Sequence, residues 1–250
     1  MDFHIIDEEN FRDHIHPGYQ GFMPRESAVG CLEGVPLFRD AFKLIPEQEW
    51  ESRVSQMEAA KAFARYIYEQ QNPVAKDQDG LSFCWAYSLS QTVEVARAVT
   101  HLNYVELAPE SLGELTGWRN AGFYCDKALQ YAIKNGIAGR YFVPNLSLNY
   151  RQYKQGWKED ALKHCPLEYY DLGGEDLWKE VVTALLSGFS IYVGYNWWSH
   201  AVMLDQLVYV NGELCVSLPN TWGANQRRVL KGRQKYPDEA FAIRSCTFAT

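Results

Sequence analysis

Apolar residues recur at spacings of three and four along Trp50, Val54, Met57, Ala60, Ala64 and Ile67, which predicts a helix over residues 47–70. Pro46 opens it, Glu47 and Glu49 suit the positive end of its dipole, and Asn72-Pro73 closes it. A second helical face, Trp85, Leu89, Val93 and Ala96, starts after Ser82-Phe83. A third covers 124–135 with Ala128, Leu129, Ala132 and Ile133 inward and Asn135-Gly136 as its stop. A fourth follows Gly173-Gly174 with Leu177, Val181, Ala184 and Leu185. After Gly188 the pattern changes to strands, predicted at 190–195, 201–210, 213–218 and 240–243, with Asn211-Gly212 as a hairpin turn. Residues 1–46 carry breakers at Pro17-Gly18, Pro24 and Pro36 and read as an extended arm with short elements. Helices in front and antiparallel strands behind predict an α+β protein of two lobes, without internal repeats.

A chain of 250 residues buries a substantial core. Its net charge of −7 argues against nucleic acid or an anionic membrane as main partner, and no apolar run is long enough to span a bilayer. The opening Met1-Asp2-Phe3-His4 lacks the basic and apolar regions of a secretory signal, which predicts a cytoplasmic protein, or one carried in a virus particle. Six scattered cysteines (31, 84, 125, 165, 215 and 246) then read as free thiols. With no C-x-x-C pair there is no expected zinc site, and no cofactor or metal is predicted.

One stretch concentrates candidate chemistry: Gln78-Asp79-Gly80-Leu81-Ser82-Phe83-Cys84-Trp85. A thiol at a helix start feels positive potential that favours the thiolate, and an amide six residues earlier is a donor for an oxyanion. Downstream stand His200, in Ser199-His200-Ala201-Val202, and Asn220, in Asn220-Thr221-Trp222-Gly223. An imidazole serves as the thiol's partner and as general acid, and an asparagine holds its ring plane without adding charge.

In this order and context, Cys84, His200 and Asn220 resemble the papain/cathepsin family of cysteine peptidases. The likeness extends to Leu107-Ala108-Pro109-Glu110-Ser111-Leu112, Asn120-Ala121-Gly122-Phe123, Asn135-Gly136-Ile137 and Leu186-Ser187-Gly188-Phe189-Ser190, so that it covers about residues 75–250. It implies the papain-like two-lobed fold, a helical lobe and an antiparallel β-barrel-like lobe with the active site between them. The expected division is an N-terminal arm and extra helix in 1–74, a helical lobe in 75–155 carrying Cys84, and a mainly β lobe in 156–250 carrying His200 and Asn220. It further implies peptide-bond hydrolysis of a polypeptide substrate through a Cys84 acyl-enzyme. Gln78 and the Cys84 amide would form the oxyanion site, Trp222 would cover the His200–Asn220 bond, and Gly122, Phe123 and Ala201 would contact substrate.

The departures carry information too. The family's cysteine three positions before the nucleophile is Leu81 here, and its expected partner is Arg119. Both halves of one bridge are replaced together, as a reducing compartment permits. The helical pattern at 47–70 has no counterpart in the short family N-terminus. A different acyl chemistry, an amidase or transpeptidase, and a structural or binding module that keeps the fold are the alternatives. The arm's prolines and glycines permit an extended path, and extended peptide is what such a groove binds, so part of residues 1–46 is expected along the cleft near Gly122 and His200. Its aromatic residues Phe11, Tyr19, Phe22, Phe38 and Phe42 equally suit ordinary core packing.

Overall fold

A computed structural model describes residues 4–247. The long central helix α4 (Cys84–Val99) is the hub of the molecule. Its residues are buried from Cys84 to Ala98, more than one amphipathic face requires, because β5, β6 and β10 cover one side of it while α3 and α5 pack on others. Before it come β1 (Ile5–Ile6), β2 (Phe22–Met23), α1 (Phe38–Ala41), α2 (Trp50–Ala59) and α3 (Ala64–Glu69). After it come β3 (Phe123–Tyr124), α5 (Cys125–Asn135), α6 (Trp157–Ala161), β4 (Pro166–Leu172), α7 (Leu177–Leu186), β5 (Ser190–Tyr195), β6 (His200–Leu204), β7 (Gln206–Val210), β8 (Glu213–Pro219), β9 (Arg227–Leu230) and β10 (Glu239–Cys246).

Two four-stranded sheets form the rear lobe, in the orders β4-β10-β5-β6 and β1-β9-β8-β7. They remain open, and no closed barrel forms among the described residues. All their pairings are antiparallel except β1 with β9. Asn211 and Gly212 both hold positive φ, 52° and 79°, and make the tight β7–β8 turn.

The helix anticipated over 47–70 is two helices. Lys61 turns left-handed, the Ala62 amide bonds back to Met57, and Phe63 is swallowed whole into the core. The strand anticipated at 201–210 likewise divides at Asp205, whose carboxylate is gripped at both oxygens by Arg227 at 2.8 and 2.9 Å, and β6 and β7 enter different sheets. Residues before α4 are woven through the fold: β1 extends one sheet, and Trp50, Val54 and Phe63 belong to the core under β5 and α7.

Candidate active site

Cys84 is the first residue of α4 and is fully buried. Ser82 is fixed beneath it by its amide donating to Asn120 Oδ1 at 2.7 Å, and the Trp85 indole donates to Ala121 O at 3.2 Å. The segment Asn120–Phe123 is thereby tied to the start of the helix. The Cys84 sulfur accepts from the Ala201 amide at 3.4 Å, which brings the thiol of one lobe onto the strand that carries His200.

His200 begins β6, and its Nε2 meets Asn220 Oδ1 at 2.9 Å. With Nε2 carrying the proton, Nδ1 is left as the basic nitrogen; it makes no hydrogen bond of normal geometry, although the Tyr19 main chain lies near enough to favour the protonated ring. Trp222 lies over the imidazole at 5.2 Å between centroids, and Trp198 meets it edge-on at 4.9 Å. Both rings exclude water from the His200–Asn220 bond. The role anticipated for Trp222 has its geometric basis here; Trp198, anticipated only as wall or packing, is the second shield.

Gln78 is buried beside this pair. Thr221 Oγ1 donates to its Oε1 at 2.6 Å, and the Gln78 amide donates to Thr221 O at 3.0 Å. The side-chain NH2 group is therefore turned the other way, donating to Leu81 O at 2.6 Å and to Tyr19 O at 3.3 Å. Thr221 carries no motif signal of its own, yet it sets which end of the Gln78 amide faces the cleft.

The N-terminal arm lies in this cleft. Gly21 and Phe22 donate their amides to Ser199 O, both at 3.3 Å, and Phe123 donates its amide to Gly21 O at 2.9 Å. β2 pairs with β3 in parallel. A side chain at Gly21 would overlap Ser82 O and reach 3.2 Å from the Cys84 sulfur, and one at Gly122 would come within 2.8 Å of Gly21 O. Both glycines are required by the close approach. Phe22 lays its ring over Gly194 and shares a core cluster with Cys84 and Ala201. Gly122 and Phe123, two of the anticipated substrate contacts, thus meet the arm, and Ala201, the third, shares the core cluster of Phe22.

Burial dominates the site's electrostatics. It pushes the Cys84 thiol up to about 12, although the surrounding amides of Ala201, Gly21 and Trp85 favour the thiolate. It pushes His200 down to about 4, against the pull of Asn220 and the Tyr19 main chain. With the arm in place the two groups are a neutral thiol and a neutral imidazole rather than an ion pair. All six cysteines are unpaired. Among the described residues no cluster of His, Cys, Asp and Glu could hold a metal ion, and no helix is long and apolar enough to cross a membrane.

The fold has the papain-like two-lobed architecture, with Cys84 at the head of the helical lobe, His200 and Asn220 on the β lobe, and a cleft between. Solved structures similar to the chain are cysteine proteases of that architecture. Xylellain, a cysteine protease from Xylella fastidiosa, superposes with a TM-score of 0.62 at 12% identity, over 91% of this chain and 96% of that one. Procathepsin B S9 from Trypanosoma congolense gives 0.58 at 12% identity, over 93% and 87%. Digestive procathepsin L 3 from the larval midgut of Tenebrio molitor gives 0.57 at 18% identity, over 70% of this chain and 66% of that one. No family model and no curated protein matches the sequence.

Proposed function

We propose that the chain is a thiol peptidase that hydrolyses peptide bonds through a Cys84 acyl-enzyme. The observation that carries the reading is a thiol at the first position of α4, held by the amide of Ala201 next to a shielded His200–Asn220 couple whose Nδ1 makes no hydrogen bond of normal geometry. His200 takes the thiol proton at Nδ1, and the sulfur attacks the scissile carbonyl carbon. The carbonyl oxygen becomes an oxyanion held by the Gln78 NH2 and the Cys84 amide, each worth about 3–4 kcal/mol in such sites. His200 returns its proton to the leaving amine as the C–N bond breaks, leaving a thioester. Water, deprotonated by His200, then attacks the thioester; the thiol is regenerated and the acid product leaves. Gly122 and Phe123 would offer main chain to an extended polypeptide, with Ala201 lining the adjacent pocket. The unpaired thiols favour a reducing, intracellular setting. No cofactor enters this chemistry.

A second reading, a binding module that retains the fold, draws on one observation: the arm fills the cleft and both reactive groups are neutral within it. Exposure of the full chain to an epoxide thiol reagent, followed by peptide mapping, separates the two. Selective modification of Cys84 supports the peptidase; modification of Cys31 alone, the exposed thiol, supports the module.

A further inference from the structure

The arm is fastened beyond Gly21 by carboxylates. Arg25 forks onto Asp171 at 2.8 and 2.9 Å, the Gly30 amide adds a bond to Asp171 at 3.0 Å, and Ser27 Oγ meets Asp126 Oδ2 at 2.5 Å. A third carboxyl, Glu239, lies under the same stretch. It opens β10 opposite Gly194, the residue that Phe22 covers. Glu239 is 2% exposed, and neither of its oxygens has a hydrogen-bond partner.

The groups around it explain why it lacks one. From the arm, the Arg25 guanidinium is committed to Asp171 and to the carbonyls of Ser27 and Ala28. From α5 come Asp126, of like charge, and the Cys125 thiol, a weak donor without normal hydrogen-bond geometry. From β5 comes Tyr192, whose hydroxyl is committed to Trp85 O at 2.8 Å. An ionised carboxylate here would be buried with no hydrogen bond of normal geometry, only the Cys125 thiol and the Arg25 main-chain amide nearby, and next to a second negative charge, an arrangement that proteins avoid by neutralising the group.

We propose that Glu239 is a proton-controlled latch for the N-terminal arm: protonated, it lets the arm lie in the cleft; ionised, it drives the arm out. As regulation of the cleft the latch serves the peptidase reading, whereas its evidence is the seating of the arm.

The titration of the group agrees in sign. Burial, helped by Asp126 and opposed by the Cys125 thiol and by the charge and main-chain amide of Arg25, raises Glu239 to about 7 with the arm seated. When the arm leaves, water reaches the carboxyl and its affinity for a proton falls toward that of an ordinary glutamate, near ~4.3. The seated state binds the proton more tightly. Its added stability is complete below the open-state value and is lost as pH rises through about 7. His14 on the arm, lowered by burial first and then by Arg228, works the opposite way, favouring the seated state as pH rises.

Hydrogen–deuterium exchange on the full chain in a Cys84→Ser background tests the latch without reference to hydrolysis. Rates are corrected for the intrinsic effect of pH. Between pH 5 and pH 8 the protection of residues 19–30 is expected to fall by up to roughly a hundred-fold, while that of α4 holds. In Glu239→Gln, neutral at every pH, the protection is expected to persist at pH 8. Equal arm protection at pH 5 and pH 8 in the parent, or the same fall in Glu239→Gln, overturns the proposal. Should Glu239→Gln lose α4 protection as well, a carboxyl titration of Glu239 by NMR in the parent decides: a midpoint near 7 supports the latch, and one near 4 overturns it.

Discussion

Gly21 and Phe123 are joined by a single main-chain hydrogen bond, Phe123 N to Gly21 O at 2.9 Å, across the cleft that separates Cys84 from solvent. The bond makes the arm a strand partner of the segment expected to hold substrate. Any peptide that uses the same amide must first displace Gly21.

Replacing Gly21 by valine should dislodge the arm. Even the first carbon of its side chain would overlap Ser82 O and press on the Cys84 sulfur. Overpacking of this kind costs about 1–3 kcal/mol, which corresponds to roughly a five- to hundred-fold rise in the open population. The rate of Cys84 alkylation by a bulky reagent at neutral pH should rise by that factor, with the fold retained by circular dichroism. An unchanged rate would mean that the arm does not control access to the thiol.

Gln78 is expected to act on the transition state. Gln78→Ala removes one oxyanion donor, and kcat should fall by about 10²–10³-fold with little change in KM. Because Gln78 also holds Leu81 O and Thr221 Oγ1, the unfolding midpoint should be measured beside the kinetics. A change confined to KM would move Gln78 from catalysis to substrate binding.

Lys76 and Glu94 form a buried ion pair at 2.5 Å, with Tyr68 and the Leu107 amide completing the carboxylate's shell. Lys76→Ala leaves that carboxylate buried without its cation and should destabilise the fold by about 3–5 kcal/mol. Urea denaturation measures it. A loss below about 1 kcal/mol would mean that water already reaches the pair.

Two histidines should make the fold acid-sensitive. Burial lowers both His200 and His164 to about 4, with Arg97 reinforcing the shift at His164, whose Nδ1 faces the guanidinium at 3.0 Å. Each is bound in its neutral form, so the unfolded chain takes up protons first as pH falls below about 6.5. Their contribution is complete above that pH and is lost progressively down to about 4, by up to about 3 kcal/mol per group. His164→Gln should flatten the fall in unfolding free energy between pH 6.5 and pH 4; an unaltered slope would show that His164 is protonated in the native state.

Much of this was readable from residue order, for physical reasons. Cys84, His200, Asn220 and Gln78 each sit where a local signal marks an element boundary or strand start, and their elements meet at one cleft. The 124–135 helix ends where predicted because Gly136 takes a positive φ of 68° that a side chain resists. Strand β4 went unread because Pro166–Leu172 has no clean alternation, and β9 because Arg227 and Arg228 disguise a strand in which Arg227 is paired with Asp205 and Arg228 bonds Gln226. The break at Asp205 was invisible because it depends on Arg227, 22 residues away. The same holds for Thr221 and Glu239: Thr221 sits within the Asn220 stretch without a signal of its own and Glu239 lies outside every quoted stretch, and their significance comes from what the fold puts beside them.

The most direct test of the account is digestion of a peptide library by the 250-residue chain and by Cys84→Ser, at pH 8 under reducing conditions, with products read by mass spectrometry. The account predicts new termini generated by the parent chain and none by Cys84→Ser, with both proteins showing the same unfolding transition. Cleavage by both, or by neither when a Gly21→Val chain with its cleft opened is also inactive, would contradict the assignment of Cys84 as a peptidase nucleophile.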